Sequence, residues 1–270
     1  MGIVPGRHNK MRKTHMCHPE VLEGHTAPGV ERIEVEVPLI GNRERMPALL
    51  CRPQTGAGAG VMIVADVFGR SPFYEDLAGR LALAGFTALL PDYFFRQGPL
   101  AEPTREAAMA RRDHLDQRQS LVDLSQAIDW LHLQPFAAGP IGTVGFCMGG
   151  TFVLDLAAER DDLATVCFYG FPAGGAVPGN LPAPLGLTDR MKGPILGFWG
   201  DQDSGVGMDN VEKLAAGLHA AGVEFEHTIY PGLGHGFMSA SRLDPEHEAY
   251  DAACRSWTRT IEFYRTHIAD

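Results

Sequence analysis

The chain has 270 residues, 45% of them apolar and 21% charged, which is enough for one sizeable core and unlike a disordered or fibrous protein. A formal charge of −10 argues against nucleic acid or an anionic membrane as partner, since both attract basic surfaces. The five cysteines (Cys17, Cys51, Cys147, Cys167 and Cys254) are scattered and odd in number, which fits a reducing compartment better than a disulfide framework.

Residues 1–27 read as a polar extension. They are basic, but no apolar signal-peptide core follows, and no later run reaches membrane-span length, so a cytoplasmic location is expected. His15, Cys17, His18 and His25 lack the paired spacing of zinc ligands, and no metal is expected there. From residue 28 to 270 the pattern is that of a single α/β domain. "ERIEVEVPLI" alternates as a half-buried strand does, and "MPALLCRP" follows a polar turn, which predicts an antiparallel hairpin. "AGVMIVADV" is a continuous apolar run, the mark of a strand covered on both faces. "SPFYEDLAGRLALAGF" reads as a helix with Ser71 as N-cap, Pro72 in the first turn and Gly85 at the stop. "TALLPDYF" is the next buried strand.

A long polar helical segment is expected from Glu102 to Leu133, with Leu121, Leu124, Ile128 and Leu131 on one face. Strand "IGTVGFC" then leads into helix "MGGTFVLDLAAE". Two short buried strands, "ATVCFYG" and "GPILGFWG", precede helix "DNVEKLAAGLHAAG" and strand "EFEHTIYPG". The last helix is expected over "EHEAYDAACRSWTRTIEFYRTHI", with Tyr250, Cys254, Trp257, Ile261 and Tyr264 as its buried stripe. Alternation at this spacing means βαβ units, a mostly parallel central sheet and helices on both faces.

In such sheets the working residues gather at the carboxyl ends of strands. Cys147 stands between a strand and a helix, with Gly145, Gly149 and Gly150 around it. A nucleophile elbow needs small neighbours there, and the helix N-terminus favours a thiolate. The Met148 backbone N–H can serve an oxyanion, and the Val67 N–H in "ADVFG" is the second candidate donor. The base should be His235, in the glycine-flanked loop "YPGLGHGFM" after a strand. Its acceptor should come from "GFWGDQDSGV", where Asp203 is favoured over Asp201 because it lies deeper in the loop. The order nucleophile, acid, histidine is that of the α/β-hydrolase fold.

Together "ADVFG", "PDYFFRQG", "GFCMGG", "GDQDSGV" and "PGLGHGF" resemble the dienelactone hydrolase family of α/β-hydrolases, over roughly residues 31–267. The resemblance implies a triad of Cys147, Asp203 and His235, no cofactor, and hydrolysis of a small-molecule ester or lactone through a thioester. It also implies a carboxylate touching the resting thiol, here Asp66 where the family often has glutamate. Two arginines clamp a substrate carboxylate in family members acting on dienelactone. Arg96 matches the first, Ser239 stands at the second position, and Arg242 is near but out of register. Phe237, two residues past the histidine, is expected to touch substrate. A thioesterase, or a relative that only binds a ligand, would share the fold.

Overall fold

Eight strands build one sheet, in the order β1-β2-β4-β3-β5-β6-β7-β8. β1 (Val30–Pro38) and β2 (Arg45–Pro53) form the expected antiparallel hairpin, with Val35 opposite Ala48. β2 also runs against β4 (Thr87–Pro91), and every later pairing is parallel. The computed structural model describes residues 29–41, 43–137, 139–177, 181–242 and 245–269. The N-terminal extension, with its histidines and Cys17, lies outside the described residues.

The central strands are β3 (Gly60–Val64), β5 (Ile141–Phe146), β6 (Leu163–Phe168) and β7 (Ile195–Gly200), and each is buried along its whole length. Helices on both faces leave no side of these strands for polar residues, which is why they read as unbroken apolar runs. Phe146, Phe168 and Phe198 form an aromatic row across β5, β6 and β7, with neighbouring ring centroids 4.8 Å apart. β8 (Phe225–Tyr230) is the partly exposed edge.

α1 (Pro72–Leu83) starts with proline as expected. Ser71 holds the N-cap backbone position, but its hydroxyl makes no capping bond. The expected single helix over 102–133 is two helices, α2 (Arg105–Arg112) and α3 (Gln117–His132). Asp116 divides them, because its side chain accepts the Gln119 N–H and caps α3 anew. The predicted face of α3 is buried.

α4 (Met148–Glu159) and α5 (Met208–Ala220) follow β5 and β7. α6 (Tyr250–His267) begins four residues later than the sequence reading, and its buried face differs. Trp257 and Tyr264 are buried, whereas Tyr250, Cys254 and Ile261 are only half-buried. Ala253, Ser256 and Thr260 face inward instead. Small residues let the helix approach closely enough for the Tyr264 hydroxyl to reach the Thr143 carbonyl at 2.7 Å. Its ring fills the space above Gly142, where a Cβ would lie 2.7 Å from the ring.

Candidate active site

Cys147 directly follows β5 and is the residue from which α4 springs. Its φ of 56° and ψ of −118° lie where a non-glycine residue is strained. The neighbouring glycines are required by close backbone approach. A Cβ on Gly145 would stand 2.0 Å from the Gly149 carbonyl oxygen, and one on Gly149 would stand 2.1 Å from that of Val64. The α4 N-terminus can therefore press down on β3 and β5, which lifts Cys147 into a cavity of about 890 Å³ at the strand ends.

The other cysteines differ in setting. Burial pushes the Cys167 thiol up to about 12, and Cys51, also by burial first, up to about 11. Both stay protonated in the core.

Asp203 and His235 line the same cavity as Cys147. The Asp203 side chain follows β7 and is 4% exposed. Its Oδ1 accepts the Gly205 and Val206 N–H groups, both at 3.2 Å, and its Oδ2 lies 2.6 Å from His235 Nδ1. One oxygen is thus fixed by backbone donors while the other holds the imidazole. Asp201 does a different job: it is exposed and accepts the Gly232 N–H at 2.8 Å, tying the loop after β8 to the loop after β7. The His235 ring also meets Tyr169, with centroids 4.9 Å apart, and Phe171, at 5.3 Å.

Val67 and Met148 border the cavity as well. The loop after β3 is held by several bonds. The Asp66 carbonyl accepts the Tyr93 hydroxyl at 2.9 Å and the Gly69 N–H at 2.9 Å. Across a trans peptide the next N–H points the opposite way, so the Val67 N–H is aimed away from Tyr93. The Asp66 carboxylate is fully buried, and its Oδ1 accepts the Phe68 N–H at 2.9 Å. Burial raises Tyr93 well above the usual tyrosine range, and the nearby Asp66 and Cys147 add to this, so its hydroxyl remains a donor.

Two residues expected at the substrate lie apart from this cavity. Arg96 is not among the residues lining the Cys147 cavity. Its guanidinium pairs with Asp123 and with Glu44, and it stacks on Phe95 at 4.4 Å. Asp123 is buried, and a buried carboxylate needs a paired cation, which Arg96 supplies. Phe237 is also absent from the cavity lining; it is 5% exposed and packs under the histidine loop against Tyr169 and Tyr230. Ser239 is buried, with its hydroxyl on the Gly236 carbonyl. The Arg242 side chain lies outside the described residues.

The sequence marks "FFRQGPLAEPTREAA" and "FPAGGAVPGNLPAPLGLTDR" as the segments that shape the pocket, but not the helix that covers it. α2 supplies Thr104 at its N-cap, then Arg105, Met109 and Arg112, and Phe68 and Phe171 add apolar walls. "TREAAMARR" carries no apolar stripe, so periodicity had nothing to detect. Phe171 follows β6 and is fixed by two bonds to its loop: its N–H reaches the Thr151 hydroxyl at 3.0 Å, and Trp199 Nε1 holds the Gly170 carbonyl at 2.9 Å. Among the described residues no group of His, Cys, Asp and Glu is arranged to hold a metal ion.

A thiol at a strained elbow and an imidazole oriented by a buried carboxylate, on one cavity, are parts that nucleophilic acyl transfer requires. Comparisons with known proteins give the family. Over 258 residues the chain is 33% identical to the carboxymethylenebutenolidase of Rhodococcus opacus, covering 94% of this chain and 98% of the relative. It is also 33% identical, over 191 residues, to carboxymethylenebutenolidase 2 of Cupriavidus pinatubonensis, covering 70% of this chain and 78% of that one. A crystal structure from Klebsiella pneumoniae, provisionally assigned as a dienelactone hydrolase, superposes with a TM-score of 0.77 at 27% identity over 88% of this chain and 99% of that one. Residues 46–268 match the dienelactone hydrolase family as a whole, and the chain belongs to that family.

Proposed function

We propose that this protein hydrolyses a small-molecule lactone or carboxylic ester through a thioester on Cys147, without a cofactor. The observation that carries the reading is the meeting of Cys147 with the bonded pair His235–Asp203 in one cavity. His235 takes the thiol proton at Nε2, the ring nitrogen opposite the one held by Asp203. The thiolate attacks the substrate carbonyl, and the oxyanion is received by the Val67 and Met148 N–H groups. One such donor is typically worth about 10²–10³ in rate. The alkoxide then leaves with the proton from His235, or stays tethered when the substrate is a lactone. Water activated by His235 cleaves the thioester and restores the thiol. In the resting enzyme Asp66 is the carboxylate beside the sulfur; with Oδ1 on Phe68, the thiol contact falls to Oδ2.

The cavity wall supports a substrate class. Phe68, Phe171 and Met109 suit an apolar body, and Arg105 and Arg112 bring positive charge to the lining. A small lactone bearing a carboxylate, of the kind named for the Rhodococcus relative, fits this lining.

The test is hydrolysis of p-nitrophenyl acetate and of small lactones by wild type, Cys147→Ala, Asp203→Asn and Asp201→Asn. Cys147→Ala is expected to abolish turnover. Asp203→Asn should lower kcat by about 10²-fold or more through loss of imidazole orientation, whereas Asp201→Asn should leave it near wild type. Equal rates for wild type and Cys147→Ala would remove the reading.

A further inference from the structure

α2 has a cavity on each side. Thr104, Arg105, Met109 and Arg112 face the Cys147 cavity, while Ala107, Ala110 and Arg111 face a second one of about 510 Å³. The helix is held lightly, since Ala108 is its only fully buried residue. Arg111 ties it to the loops after β3 and β4. One Nη of Arg111 donates to the Val67 carbonyl at 3.2 Å, and the other to the Gly98 carbonyl at 3.4 Å. The guanidinium lies over the Phe94 ring at 4.0 Å, close to Gly69.

This contact falls on the oxyanion loop. The peptide joining Val67 to Phe68 is held at both ends, its N–H by the Asp66 carboxylate and its carbonyl by Arg111. The preceding peptide, which carries the Val67 N–H, is held through the Asp66 carbonyl by Tyr93 and Gly69. If the 67–68 peptide is released on one side, it can rotate, and the rotation is shared with the Val67 N–H through the one intervening Cα. Among the described residues, Arg111 is the donor on the Val67 carbonyl.

We infer that Arg111 is a positioning residue for the reaction: it ties the helix covering the substrate to the peptide that presents the Val67 N–H to the oxyanion. The inference rests on the thioester reading above. It accounts for a half-buried cation kept on a face of α2 that does not line the Cys147 cavity. It also links cover and chemistry, because a substrate that presses on Met109 and Arg112 settles the same helix that carries Arg111.

The experiment is single-turnover acylation with p-nitrophenyl acetate, reading p-nitrophenolate release, for wild type, Arg111→Met, Arg111→Lys and Cys147→Ala, with thermal midpoints recorded in parallel. Arg111→Met keeps an unbranched apolar stem over Phe94 and loses both donors. It is expected to lower the acylation rate constant roughly 10- to 100-fold, a share of what loss of an oxyanion donor costs, with half-saturation within about twofold. Arg111→Lys keeps a cation able to reach one carbonyl and should recover part of the rate. An unchanged rate in Arg111→Met overturns the inference. So does raised half-saturation at an unchanged rate, which would mean that Arg111 binds substrate. A loss that follows the thermal midpoint and is not relieved by lysine also overturns it, since that is a purely structural effect. If Cys147→Ala acylates as fast as wild type, the thioester reading itself fails; if Cys147→Ala is silent while Arg111→Met is normal, only the role of Arg111 fails.

Discussion

Individual side chains in this site are fixed by what they bind behind it. Asp203 can orient His235 because its other oxygen is occupied by two backbone N–H groups, so the carboxylate cannot turn away. Tyr93 keeps its proton because it is buried beside Asp66 and Cys147, and it spends that proton on the Ala65 and Asp66 carbonyls. Arg96 and Arg112 show how partner geometry separates similar residues. Arg96 is bonded to buried Asp123 and to Glu44, whereas Arg112 borders the cavity and, among the described residues, pairs with the exposed Asp113. Removing Arg96 strands a buried carboxylate, so Arg96→Ala should lower stability by about 3 kcal/mol while changing KM equally for anionic and neutral esters. Arg112→Ala should raise KM for anionic esters more than for neutral ones, with little change in thermal midpoint. Steady-state kinetics on a matched ester pair, together with melting curves, checks both.

Among the elements, the elbow between β5 and α4 is the most constrained. α4 must approach β3 closely for its N-terminus to sit under Cys147, and only glycine permits this at 149. A methyl there meets the Val64 and Ala65 carbonyl oxygens at 2.1 and 2.3 Å, so Gly149→Ala should push the helix outward. Overpacking of this kind costs about 1–3 kcal/mol or more, and activity should fall further than stability because the thiol moves. Gly79→Ala is the matched control. Gly79 lies within α1 with nothing within 4 Å of an added Cβ, so the change should stabilise by about 0.5–1 kcal/mol. Thermal midpoints and p-nitrophenyl acetate rates for both variants read the contrast. α2 is the opposite kind of element: its cap, Thr104 on Ala107 N–H, is sound, but its sequence is too polar to bury a face. It serves as a cover because it is not part of the core.

For the molecule as a whole, the sheet order brings four separate loops to one edge. Asp66, Cys147, Asp203 and His235 follow β3, β5, β7 and β8, and parallel pairing from β4 to β8 puts all four strand ends on the same side. The same packing buries Asp155 on α4, 2% exposed and bonded by Gln117 at 2.8 Å. Burial raises its carboxyl from the usual carboxylate range to about 7. In the folded state Asp155 therefore holds a proton that the unfolded chain releases near pH 4, so this residue's contribution to stability is greatest in acid and is lost as pH rises toward 7. Asp155→Asn removes that dependence. The difference in thermal midpoint, variant minus wild type, should increase between pH 5 and pH 8, and a flat difference would refute the assignment.

The sequence by itself determined the strands, most helices, and the residues at the elbow. Apolar runs such as "GVMIV" mark burial on both faces, and glycines around Cys147 mark a turn that admits no side chains, so both signals are local. It also ordered Cys147, Asp203 and His235 along the chain, because each sits in a loop that follows a strand. Tertiary structure decided what local patterns do not encode. Only packing pairs His235 with Asp203 while using Asp201 as a loop tie. Only packing draws Arg96 to Asp123 and leaves Arg112 at the cavity. Residues 117–132 formed their helix where periodicity placed it, but residues 105–112 became a separate cover because Asp116 restarted the helix. The buried face of α6 came from Ala253, Ser256 and Thr260, since close approach to the sheet rewards small side chains, and hydrophobic periodicity registers only large ones.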